Sequence, residues 1–211
     1  MMTKFTPISR ELHKDFTASW DTALMTKKSL LPVLLVPTCI LSIPAAAMLF
    51  RVEGWAWGVA DFIVMWVLIA SVILTYKLVT RKAAGGSYRS ATGVALFAGL
   101  ALVWVNGAVG LIGSGENPAN LLYAGVLAIG VIGAVKARFE PLGMGWTLFV
   151  MTFAQLLVPF VALMVRPGDF SPGVLPVLGL NGVFVLLFAG SALLFWRAAR
   201  KGDCTRTKMV A

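Results

Sequence analysis

Few residues of this chain are fit for chemistry, and four of them fall at one inferred depth: Asp61, Asn106, Tyr123 and Asn181. A carboxylate, two amides and a phenol can bind a cation or proton, or receive the polar head of a ligand, at the floor of a water-filled cavity. The plainer use is structural. Amides and phenols inside a membrane join helices through hydrogen bonds of around 1 kcal/mol, and an aspartate near the interface stays hydrated. Asp61 is the costly member, at about 2.5–3.5 kcal/mol for a helix centre and less toward the interface. Ser42 lies close to this layer, and Gln155 is placed deeper, near the midplane.

Two of the four belong to the stretch Trp104 to Tyr123, WVNGAVGLIGSGENPANLLY. Asn106 sits in an apolar run, a Gly-Ser-Gly-Glu turn breaks it, and a second run restarts at Asn117-Pro118. The stretch reads as a hairpin with Glu116, Asn117 and Asn120 on its surface.

Other chemistry is absent from the sequence. His13 is the only histidine, which removes most zinc sites and a bis-histidine haem. Cys39 lies in an apolar run and Cys204 in a polar segment, so a disulfide between them is not expected. No Gly-rich phosphate loop, nucleophile elbow or His-Glu zinc motif occurs. Gly107-Ala108-Val109-Gly110 falls inside an apolar run, and Ser114 and Glu116 have no histidine beside them. An enzyme would have to use Asp61, Glu116 or a tyrosine without an evident partner. No cofactor is called for.

The elements that position these groups follow from composition. Of 211 residues, 59% are hydrophobic and 13% charged, against about 45–50% and about 25% in soluble domains. Apolar runs cover Leu30 to Phe50, Trp55 to Leu78, Ala91 to Ile112, Pro118 to Val135, Met144 to Val165 and Val174 to Trp196. Most approach the roughly 20 residues needed to span a bilayer. The fold class predicted is all-α, a six-span transmembrane bundle. Pro32, Pro37 and Pro44 should bend the first span. Those prolines and the long polar leader argue against a cleaved signal peptide, despite Lys27-Lys28 before the run and Ala45-Ala46-Ala47 within it.

Orientation follows from charge. Of the 18 Lys and Arg, all but Arg51 and Arg166 fall on one side of this arrangement, which puts both termini in the cytoplasm. Glu53, Glu116 and Asp169 then face outside, and Trp55 and Trp57 lie in the interfacial aromatic belt. With a rise of about 1.5 Å per residue, Asp61, Asn106, Tyr123 and Asn181 come roughly 8–10 Å below the outer ends of their spans. The net charge of +9 is accounted for by this topology and not by nucleic-acid binding, for which no motif exists.

The chain divides by sequence into a leader (1–28), a transmembrane domain (29–197) and a basic tail (198–211). In the leader, Phe5, Ile8, Leu12, Phe16, Trp20 and Leu24 recur at helical spacing between charged residues. That pattern is an amphipathic helix, lying in the membrane interface or docked on the protein's own loops. Small residues at intervals of four, Ala91, Ala95 and Gly99 with Gly107 on the same stripe, then Ala124 with Ala128 and Gly130 with Ala134, favour close helix approach. The partners implied are the lipid bilayer and another membrane protein or a second copy.

Residues 55–140 carry a resemblance. Trp57-Gly-Val-Ala-Asp61-Phe62, Tyr76-Lys77-Leu78-Val79, Trp104-Val105-Asn106 followed by Gly110, Asn117-Pro118-Ala119-Asn120 and Ala137-Arg138-Phe139 resemble a group of small uncharacterised bacterial multi-span membrane proteins. The resemblance implies a bacterial inner membrane and supplies no activity, ligand or site residue. The first expectation is therefore a non-enzymatic accessory or structural membrane protein. The alternatives are a small transporter or ligand-binding protein using the layer around Asp61, and a membrane enzyme.

Overall fold

The computed structural model describes residues 27–52, 57–81, 85–108, 110–112, 117–165 and 173–210. The amphipathic leader therefore falls outside the described residues. The helices are α1 (Lys27–Leu49), α2 (Val59–Thr80), α3 (Gly86–Ala108), α4 (Leu121–Lys136, entered through a 3-10 turn at Pro118–Asn120), α5 (Pro141–Val165) and α6 (Val174–Val210). All six are long and apolar enough to cross a membrane, and no strand occurs among the described residues. The number and order of the expected spans hold. Their ends shift by a few residues, and α6 runs on as helix through most of the segment expected as a tail.

The chain divides into two compact units, Met1–Leu74 and Thr75–Ala211. In the first, α1 stays helical through Pro32, Pro37 and Pro44. Pro37 and Pro44 supply no N–H to the carbonyls of Val33 and Ile40, four residues earlier. The hydroxyls of Thr38 and Ser42 donate to the carbonyls of Leu34 and Cys39 at 2.8 and 2.6 Å. Trp66 Nε1 of α2 donates to Thr38 Oγ1 at 3.2 Å, tying the two helices together.

In the second unit one buried row of α5 is Met144, Leu148, Met151, Gln155, Val158 and Ala162, with Gly145, Thr147 and Pro159 buried beside it, and one of α6 is Val177, Asn181, Phe184, Phe188, Ser191 and Phe195, with Ala192 beside it. Both series alternate steps of four and three, the seam of two helices lying along one another. Each is apolar except at Gln155 on α5 and at Asn181 and Ser191 on α6. On α3 the packed row is Ala91, Ala95, Ala98 and Leu102. Ser191 Oγ donates to the Ala91 carbonyl at 2.8 Å, and Tyr88 meets Phe195 edge-on at 5.2 Å, so α6 also holds α3.

Glycines set the closest approaches. A Cβ on Gly130 would lie 2.6 Å from Met151 Sδ, and one on Gly133 would overlap the Thr147 side chain. Gly145 likewise makes room for the Trp196 indole. Gly107, by contrast, has nothing within 4 Å of a Cβ, and Ala124 and Ala128 face outward. Within this unit the close contacts of α4 are made at Gly130 and Gly133.

Two helices end alike. After α1, Arg51 N–H bonds the Met48 carbonyl at 3.0 Å and Val52 N–H the Ala47 carbonyl at 2.9 Å. After α4, Arg138 bonds Val135 at 3.1 Å and Phe139 bonds Ala134 at 3.2 Å. This is the Schellman pattern, whose left-handed position glycine usually fills. Here Arg51 (φ 53°) and Arg138 (φ 50°) occupy it, with Phe139 also left-handed (φ 59°). A cation beside terminal carbonyls is favourable. The Tyr88 hydroxyl donates to the Phe139 carbonyl at 2.7 Å, fixing the second of these ends against α3.

Candidate functional site

Buried amides in an apolar helix must find partners, because hydrocarbon offers none. Asn181 Nδ2 donates to the Val177 carbonyl one turn earlier at 2.8 Å. That bond turns Asn181 Oδ1 away from its own helix. Two donors converge on the oxygen, the Tyr123 hydroxyl of α4 at 2.9 Å and Gln155 Nε2 of α5, also at 2.9 Å. Exposure is 1% for Tyr123, 0% for Gln155 and 2% for Asn181. One amide oxygen thus joins three helices inside a protein-lined layer. Gln155 Oε1 is buried with no donor.

A second constellation closes the hairpin between α3 and α4. Gly110, left-handed at φ 73°, returns its N–H to the Asn106 carbonyl at 3.2 Å and ends α3. Asn120 Oδ1 accepts from Leu111 N and Ile112 N at 3.2 and 3.0 Å, while its Nδ2 donates to the Ile112 carbonyl at 3.3 Å. Asn106 Nδ2 donates to the Asn120 carbonyl at 3.2 Å. Asn117 Oδ1 accepts from Ala119 N at 3.0 Å, starting the 3-10 turn with Pro118 in its first position. Asn120 is only 5% exposed. It was expected on the hairpin surface and instead lies beneath it, because it replaces the backbone partners that the turn cannot supply. Glu116 lies outside the described residues.

Asp61 belongs to the first unit. Its Oδ2 accepts from Gly58 N at 2.8 Å, and the side chain is exposed. Because α2 starts at Val59, Asp61 is the third residue of the helix, with Gly58 in the cap. An acid there returns a hydrogen bond to the cap N–H and faces the positive end of the helix dipole. Its distance from the helix end is about 3 Å by helical rise, against the roughly 9 Å expected from sequence. Asn106 likewise lies in the last turn of α3 and Tyr123 in the first turn of α4.

Of the four proposed residues, the structure joins Tyr123 to Asn181 and ties Asn106 to Asn120. Gln155, placed a level deeper by counting along its span, bonds Asn181 directly. Depth counted from helix ends assumes equal tilt and offset, which the direct contact of Gln155 with Asn181 does not follow. Val177, Ser191 and Tyr88 were not singled out. The seam spacing of α5 and α6 was the available signal, since it puts Gln155 and Asn181 on the packed faces. Among the described residues no cluster of His, Cys, Asp or Glu has metal-binding geometry. No family model matches the chain, and no curated protein or solved structure is similar to it.

Proposed function

We propose that this multi-pass chain resides in a bacterial inner membrane with both termini in the cytoplasm. There it acts as a non-enzymatic accessory or structural component working through partners in the bilayer. The observation that carries this reading is the use of Asn181 Oδ1. Its acceptor capacity is taken by Tyr123 and Gln155 under almost complete burial, so this polar layer of the second unit is engaged in holding helices. A few polar positions in a largely apolar seam are a device for fixing register. Asp61 is engaged at the start of its own helix, where its carboxylate accepts from Gly58 N.

The tests are direct. In a cysteine-free background, Lys136→Cys should react with an impermeant maleimide only after the membrane is opened, and Arg51→Cys should react in intact cells. Labelling of Lys136→Cys from outside overturns the orientation. Reconstituted protein should conduct no protons, with Asp61→Asn indistinguishable from the parent. A proton flux abolished by Asp61→Asn establishes the transporter reading instead. Crosslinking in the membrane before mild detergent extraction should yield a stoichiometric protein partner.

A further inference from the structure

We propose that Gln155 holds a single buried water molecule, making the Tyr123–Asn181–Gln155 node a hydrated site within the second unit. The hydrogen-bond directions carry the argument. The Val177 carbonyl can only accept, so Asn181 must present Nδ2 to it and Oδ1 to its neighbours. Gln155 must then donate to that oxygen through Nε2. Rotating the Gln155 amide by half a turn would set two oxygens against each other. Its Oε1 is therefore forced away from Asn181, and it is fully buried without a donor.

The main chain is altered at the same residue. Pro159 lies inside α5, four residues after Gln155. It has no N–H to give the Gln155 carbonyl. One residue thus carries a side-chain oxygen without a donor and a carbonyl that has lost its regular helical N–H. A ligand here must bring O–H or N–H groups and be small, because the residue is enclosed.

It must also be neutral. Tyr123, Asn181, Gln155 and the Val177 carbonyl are all uncharged, and a buried ion without a counter-charge is not repaid for its dehydration. Water meets each condition. Buried waters characteristically satisfy polar groups that the protein leaves unpaired, using two to four partners.

Gln155 is the only glutamine in the chain, so an isotope in the glutamine side chain reports on this site alone. The full chain, made by cell-free synthesis with glutamine carrying carbon-13 at Cδ and placed in lipid bilayers, should show an infrared side-chain carbonyl band at the hydrogen-bonded position. In water-edited solid-state NMR, Cδ should receive magnetisation from water protons faster than the side chains of Phe188 and Val126, which are buried without polar groups. A band at the free-carbonyl position overturns the proposal. A hydrogen-bonded band with no transfer from water also overturns it, and assigns the donor to a lipid or another part of the protein.

Discussion

Gly133 faces Thr147 so closely that a methyl group on the glycine would coincide with the threonine side chain. The contact lets α4 lie directly on α5. Overpacking of this kind costs typically 1–3 kcal/mol, so Gly133→Ala should lower stability in that range in an unfolding titration in detergent. Gly130→Ala meets the flexible end of Met151 and should cost less. Gly107→Ala and Gly125→Ala meet nothing within 4 Å. They should be neutral or stabilising by up to about 1 kcal/mol, since glycine weakens a helix interior. Equal losses at all four positions would contradict the packing described.

The node at Asn181 predicts a non-additive pair. Tyr123→Phe removes one donor and leaves Gln155 on the oxygen, a loss of about 0.6–1.7 kcal/mol for a membrane hydrogen bond. Asn181→Leu strands both the Tyr123 hydroxyl and a Gln155 N–H, and each buried unsatisfied group costs about 1–3 kcal/mol. In the Asn181→Leu background, Tyr123→Phe should therefore become neutral or stabilising. The check is a double-mutant cycle from equilibrium unfolding, and additive losses would rule out the shared oxygen.

Asn120 is predicted to govern the ends of its hairpin. Asn120→Ala frees the N–H groups of Leu111 and Ile112 that now bond its Oδ1. Hydrogen exchange at these two amides should accelerate at least tenfold, equivalent to about 1.4 kcal/mol, with little change in α6. Asn120→Asp keeps the acceptor and should protect both amides better than alanine does.

The left-handed arginines offer a stabilising change. A non-glycine residue in this region bears a penalty of roughly 1–2 kcal/mol. Arg51→Gly and Arg138→Gly should each recover part of it, up to about 1 kcal/mol after loss of the favourable terminal charge. Arg138→Val should be destabilising, because a β-branched side chain tolerates positive φ poorly. Thermal unfolding of the three variants in one detergent decides the order.

The spans were legible because hydropathy acts along the chain, and about twenty apolar residues cross a bilayer wherever they sit. Contacts across helices were not, since they depend on offset and tilt. Gln155 illustrates this: counting put it below Asn181, yet the two side chains touch. Asn120 looked like an ordinary turn residue because nothing local reveals that Leu111 and Ile112 come back to it. Gly133 and Gly145 were passed over for a stripe with regular spacing. Their importance comes from what faces them, Thr147 and Trp196, and those partners are set by the packing of whole helices. Asp61 shows how much rests on a boundary: α2 starts at Val59, four residues later than counted, so the carboxylate lies in the first turn and accepts from Gly58 N.

The bond from Ser191 to the Ala91 carbonyl joins residues 100 positions apart. At about 5–20 residues per second of synthesis, α3 leaves the ribosome about 5–20 s before the residue that completes its packing exists. Throughout that interval the row from Ala91 to Leu102 lacks the α6 face that packs against it in the finished unit. Assembly of the second unit is thus timed by translation of its last helix, and a chain stalled before Ser191 would hold α3 in the membrane with its packing face uncovered.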